Sequence, residues 1–190
     1  PSFFYQGAHF RAADELSSYE ILDEIFTALP HSNPLASTMN GQITSLRDAQ
    51  FAIGNLKKAG LTPDELLKLL DHNQVFMYFA EPLLAEVFDV PRLNKKNIPE
   101  CQAVVDKLTA FTHEPQLPEL FKPLGELCHY EFAEATAAAS EQGSTKPLTA
   151  WRNRWLERGP GKQFIFKDRT RNKKLRALAK VYQKYLLAMQ

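Results

Sequence analysis

The 190-residue sequence has no long hydrophobic run; its longest, Val75 to Ala80, is six residues. A helix crossing a bilayer needs about 20. The N-terminal Pro-Ser-Phe-Phe-Tyr-Gln has neither the basic start nor the apolar stretch of a secretory signal. Cysteine is scarce. Cys101 and Cys128 are too few for a disulfide framework in a chain of this length, and they read as reduced and buried. Together these absences point to a cytoplasmic protein with no membrane partner.

Catalytic spacings are lacking as well. The chain has no Gly-x-Ser-x-Gly, no Walker-type loop, no dinucleotide fingerprint and no His-Glu-x-x-His. Glu126 and His129 form one Glu-x-x-His pair, but a di-iron bundle needs two. The residues three before His9, His31, His72 and His113 are Gln6, Ala28, Leu69 and Ala110, so the second motif is absent. Cys101, His113, Cys128 and His129 match no usual zinc spacing. No metal and no cofactor are expected. Glu131 and Glu134 read as solvated surface. An enzyme stays as a third reading, with a site built from sequence-distant residues, of which Glu126, His129 and Glu131 come first.

Helical signals are what the sequence does have. Hydrophobic residues at 44% and charged residues at 24% are ordinary globular values. Ser17 to Glu20 is a capping box ahead of Ile21, Leu22, Ile25, Phe26 and Leu29 at helical spacing. Residues 32–41 read as a loop. A second helix is expected from about Gln42 to Ala59, ended by Gly60. Thr62-Pro63-Asp64-Glu65 then starts a third. The run Val75 to Ala80 is apolar on every side and expected to be buried, with Pro82 kinking or restarting the helix. After a short basic linker at 92–97, a helix following Pro99 carries Cys101, Val104, Val105, Leu108 and Phe111 on one stripe. Pro115 and Pro118 interrupt. A long helix from near Pro123 reaches about Ser140, and Gly143-Ser144-Thr145 is the clearest candidate linker. Beyond it come a Trp-bearing helix, a Gly159-Pro160-Gly161 turn, a strand at Gln163 to Phe166 and a last helix. The expectation is an all-α fold: one domain of about seven helices, with an acidic body over 1–142 and a basic segment over 143–190 packed on it.

Charge divides the chain more sharply than its net of +1 suggests. Residues 152–190 hold twelve basic residues against Glu157 and Asp168, a net of +10, and the remainder carries −9. Such asymmetry points to a polyanion partner for the basic part. In the last helix Leu175, Leu178, Ala179, Tyr182, Tyr185, Leu186 and Met189 fall within one arc of about 120°. Lys173, Arg176, Lys180 and Lys184 fall opposite, as a row able to follow a phosphate backbone. Trp151 and Trp155, one turn apart among Arg152, Arg154 and Arg158, can stack on bases of a single strand. Core is the favoured reading of the pair over a stacking platform, since Leu148 and Leu156 are neighbours in the pattern.

The sequence therefore favours nucleic-acid binding, DNA or RNA, without catalysis. The phosphate contacts are assigned to Arg152, Arg154, Arg158, Lys162, Lys167, Arg169, Arg171, Lys173, Arg176 and Lys180, and the stacking to Trp151 and Trp155. The alternative is an adaptor or assembly subunit whose basic face meets an acidic protein surface or another copy of the chain, as an oligomer. A plainer reading has the basic segment clamp the acidic body and cancel its charge. The helix–turn–helix outline of 51–70 reads as a structural hairpin, because Asp64 and Glu65 would meet phosphate at its second helix.

Overall fold

The computed structural model describes residues 15–39, 42–111 and 124–190. Among them are seven α-helices: α1 (Glu15–Thr27), α2 (Leu46–Lys58), α3 (Pro63–Phe88), α4 (Ile98–Thr109), α5 (Leu124–Gln142), α6 (Lys146–Trp155) and α7 (Asp168–Ala188). Two short antiparallel ribbons complete them, β1 (Thr38–Met39) with β2 (Gln42–Ile43), and β3 (Leu156–Arg158) with β4 (Phe164–Phe166). The fold class is all-α, as the periodicity implies. No described helix is long and apolar enough to cross a membrane. The interruption expected at Pro115 and Pro118 lies outside the described residues, as do His9 and His113.

By internal packing the chain falls into two compact units, residues 1–63 with 177–190, and residues 64–176. In the smaller unit α1, α2 and the second half of α7 share a core of Leu22, Phe26, Leu46, Ile53, Leu178 and Tyr182. The Tyr185 hydroxyl donates to Ser18 Oγ at 3.1 Å. The buried face of α7 is turned from the expected arc. Ala177 and Val181 are buried, whereas Leu175 is 39% exposed. Helix α1 already includes Glu15, so Ser17 and Glu20 lie inside it instead of capping it. A capping-box pattern marks where a helix can start, and good helix formers ahead of it carry the helix further back. The loop at 32–41 contributes β1, and α2 starts at Leu46.

The larger unit is built on α3. Phe76, Met77, Ala80, Leu84 and Phe88 face a core with Val104 and Leu108 of α4, Cys128 and Phe132 of α5, Trp151 of α6, and Phe164 and Phe166 of β4. The run Val75 to Ala80 is therefore amphipathic. Phe76, Met77 and Ala80 are buried, while Val75, Tyr78 and Phe79 are exposed, so the expectation of complete burial fails. An apolar run in a helix still has two faces, and only one meets the core. Helix α3 continues through Pro82. The proline sits on an exposed face while Glu81 and Leu84 beside it are buried, and that packing offsets a helix penalty of about 3 kcal/mol.

Gly143 closes α5 with φ +56°. Its N–H donates to the Ser140 carbonyl, and the Ser144 N–H donates to the Ala139 carbonyl. This is a Schellman cap, which needs a residue in the left-handed region. Gly60 ends α2 in the same way, with φ +69°. Residues 143–145 are thus a tight helix-to-helix turn and not a linker. Across it α5 and α6 pack directly, with the Phe132 and Trp151 ring centroids 4.5 Å apart.

Candidate nucleic-acid interface

The arginines of the basic segment are engaged inside the larger unit. Two carboxylates, Glu81 on α3 and Asp89 just past its C-terminal end, reach the outer edge of β4. Glu81 accepts from the Phe166 N–H at 3.0 Å and pairs with Arg169. Asp89 accepts from the Phe164 N–H at 3.2 Å and from Arg158 at 2.7 Å. Pairing with β3 satisfies one edge of β4; the N–H groups of Phe164 and Phe166 face the other way and need these acceptors. Arg154 pairs with Glu131 at 3.2 Å, and Arg176 pairs with Asp71. Arg171 lies 3.4 Å from Asp168 and is exposed.

The tryptophans are core. Trp151 stacks on Phe88 at 5.8 Å and Trp155 donates from Nε1 to Glu131 at 2.8 Å, with exposures of 4% and 7%. Neither ring has a face to offer a base, so both leave the set of candidate contacts. The reading of Glu131 as solvated surface is corrected by the same bond. Its carboxylate is held by Trp155 and Arg154.

The lysines differ from the arginines. Lys162, Lys173 and Lys174 are exposed and have no carboxylate partner among the described residues. Lys174 was not among the candidates, although its sequence position beside Lys173 was the available signal. Lys167 donates to the Asn153 carbonyl. Lys180 is exposed and falls in the smaller unit. Arg152 hydrogen-bonds only Asn153 Oδ1 among the described residues, with its guanidinium 5.0 Å from the Phe164 ring centroid; Arg158 lies over the same ring at 3.7 Å. Burial, and then the like charge of Arg158, hold the Arg152 pKa below the ordinary range.

Within this unit α3, the β3–β4 turn and α7 enclose a cleft of about 510 Å³. Arg169, Lys173 and Arg176 line it, with Tyr78, Gln74 and Ile165. Tyr78 is 57% exposed, and the Arg169 guanidinium lies over its ring at 5.1 Å. A relay of hydrogen bonds fixes this wall. Asn172 Nδ2 donates to the Leu70 carbonyl, and Asn172 Oδ1 accepts from Arg176 Nε at 3.1 Å. Arg176 Nη2 donates to Gln74 Oε1 at 2.8 Å, and Gln74 Nε2 donates to the Tyr78 hydroxyl at 3.2 Å. Tyr78, Gln74 and Asn172 were not foreseen, because the pairing of α3 with α7 spans about a hundred residues of sequence.

The metal and catalytic candidates do not converge. Among the described residues no group of three or more His, Cys, Asp and Glu side chains is placed to hold a metal ion. Glu126 is exposed, while His129 Nε2 lies 3.0 Å from Thr109 Oγ1. Cys101 and Cys128 are free and fully buried, and burial pushes both thiols up, Cys101 to about 12. A thiol so held is not a nucleophile. Comparison with protein-family models, curated proteins and solved structures finds no match for this chain.

Proposed function

We propose that this chain binds nucleic acid without catalysing a reaction, through the exposed lysines of residues 64–176: Lys162, Lys173 and Lys174. The observation that carries the reading is the division between cations. The arginines hold the unit together through Glu81, Asp89, Glu131 and Asp71, while these lysines stay exposed with no carboxylate partner among the described residues. A flexible ammonium in solvent exchanges its counterions for a phosphate, and that exchange drives polyanion binding. Arg152, desolvated and without a carboxylate among the described residues, is a further cation that a phosphate relieves. An exposed tyrosine in a cationic cleft adds the flat ring that a strand with unstacked bases uses. The free buried thiols suit a reducing compartment, and the proposed setting is cytoplasmic.

The test is titration of a labelled single strand and a labelled duplex across salt concentrations. The expected log–log slope is about −2 to −4, one increment for each engaged phosphate. Replacing Lys162 and Lys174 together by Glu reverses charge without touching the cleft, the core or an ion pair among the described residues, and is expected to weaken binding at least tenfold. Equal affinity in that variant overturns the reading and leaves an acidic protein surface as the partner to examine.

A further inference from the structure

We infer that the cleft between α3 and the start of α7 is a nucleotide subsite, taking one phosphorylated nucleoside, either free or as a unit of a strand. The inference rests on the nucleic-acid reading only for the second of those sources. Three features specify the ligand. The first is a donor wall already ordered before any ligand arrives. Asn172 is buried and anchored to the Leu70 carbonyl, and the relay runs from it through Arg176 and Gln74 to Tyr78. In that relay the Tyr78 oxygen accepts from Gln74, so its own proton is left to donate. Lys173 adds an ammonium with no carboxylate partner among the described residues.

The second feature is a cation fixed at the cleft wall, the Arg169 guanidinium, which pairs with Glu81 through Nη2. The third is the apolar part of the wall, Met77, Pro160 and Ile165, beside the exposed Tyr78 ring. Cations and a hydroxyl donor alone would suit inorganic phosphate. Together with an apolar wall and an aromatic face in about 510 Å³, they fit a phosphate joined to a planar ring. The phosphate accepts from Lys173, the Tyr78 hydroxyl and Arg176 Nη1, which neither the relay nor Asp71 engages, and the base lies on the apolar side. A carboxylate ligand would use the donors and leave that apolar surface wet.

The experiment is calorimetric titration of the full chain with adenosine 5′-monophosphate, adenosine and inorganic phosphate, beside the labelled single strand. The monophosphate is expected to bind at least tenfold more tightly than either fragment. Tyr78→Phe keeps the ring and removes the donor, and is expected to cost about tenfold. Lys173→Gln is expected to cost a similar factor. Both side chains are exposed, so neither change threatens the fold. Should the mononucleotide fail to bind while both substitutions weaken the strand, the subsite stands and its ligand is a unit of the strand. Mononucleotide binding without strand binding also supports the subsite and removes the nucleic-acid reading. Strand binding that ignores both substitutions, with no binding of the monophosphate, overturns the subsite and leaves the strand reading intact.

Discussion

Glu81 on α3 accepts a hydrogen bond from the Phe166 backbone N–H at 3.0 Å, and Arg169 closes on its other oxygen. This buried carboxylate, its side chain 8% exposed, joins α3, β4 and α7 at one point. Removing one partner of such a group leaves the others without compensation. Glu81→Ala is expected to destabilise the protein by about 3 kcal/mol, because a buried N–H and a guanidinium both lose their acceptor. Urea unfolding measures this. The double change Glu81→Ala with Arg169→Met is expected to cost less than the sum of the two singles by about 1 kcal/mol or more. Full additivity would deny that the two groups act as a pair.

Asp89 does a similar job under weaker constraint. It holds the Phe164 N–H and Arg158, but the paired side chains are 29% and 51% exposed. Solvent screens the pair and the asparagine Oδ1 can still accept, so Asp89→Asn removes only a screened charge and is expected to cost about 1 kcal/mol or less. A loss as large as that of Glu81→Ala would show that this end of the ribbon is drier than its exposure indicates.

The buried tryptophans separate the present reading from a stacking platform. Iodide is expected to quench the native fluorescence far less than that of the urea-unfolded chain, because Trp151 and Trp155 lie in the core. Trp155→Phe loses the bond to Glu131 and about 1–2 kcal/mol of stability. Its affinity for a single strand is expected to stay within about twofold of the parent, since no base meets that ring. A tenfold loss of affinity in a folded Trp155→Phe protein would restore the tryptophan to the binding surface.

Helical periodicity was legible because it is local. The stripe Cys101, Val104, Val105 and Leu108 lies buried on α4, and Gly60 caps α2 where it was expected to. Faces and pairings were less legible. The composition of residues 143–145 does not say whether the helices on either side pack, and here they do. The count of twelve cations against two acids was correct, yet it could not show that Arg169 meets Glu81 across 88 residues. It also treated arginine and lysine alike. A planar guanidinium with five donors suits a fixed internal bridge, whereas an ammonium on a flexible stem suits solvent. The cleft was invisible for the same reason, since Gln74 and Tyr78 are one helical turn apart but meet Arg176 only through the fold.

Two helical glycines are expected to respond oppositely to alanine. At Gly54 on α2 an added Cβ meets nothing within 4 Å. Gly54→Ala therefore gains helix propensity and is expected to stabilise by about 0.5–1 kcal/mol. At Gly125 on α5 the same carbon would lie 2.7 Å from Phe76 Cδ2, and Phe76 is itself fully buried. Overpacking is expected to outweigh the propensity gain, for a net loss of about 1–2 kcal/mol. Thermal denaturation of the two variants side by side gives both signs, and a stabilising Gly125→Ala would mean that the Phe76 ring can move.

The two thiols predict an alkaline limit to stability. Burial first, and then the charge of Glu100, raise Cys101 from 9.0 to about 12, and burial raises Cys128 as well. The folded protein therefore keeps these protons at a pH where the unfolded chain has released them. Their contribution is fully present below about pH 9 and is lost as pH rises toward 12, by up to about 1.4 kcal/mol per pH unit for each thiol. Unfolding free energy measured between pH 8 and 11 is expected to fall more steeply for the parent than for Cys101→Ala, which has lost one of the two titrations. The alanine variant starts lower because it leaves a small cavity, so the slopes and not the absolute values carry the comparison. Parallel slopes would mean that Cys101 ionises in the folded state as readily as in the unfolded one. In that case it would also react with a thiol reagent in the native protein, whereas the buried thiol is expected to stay silent until the chain unfolds.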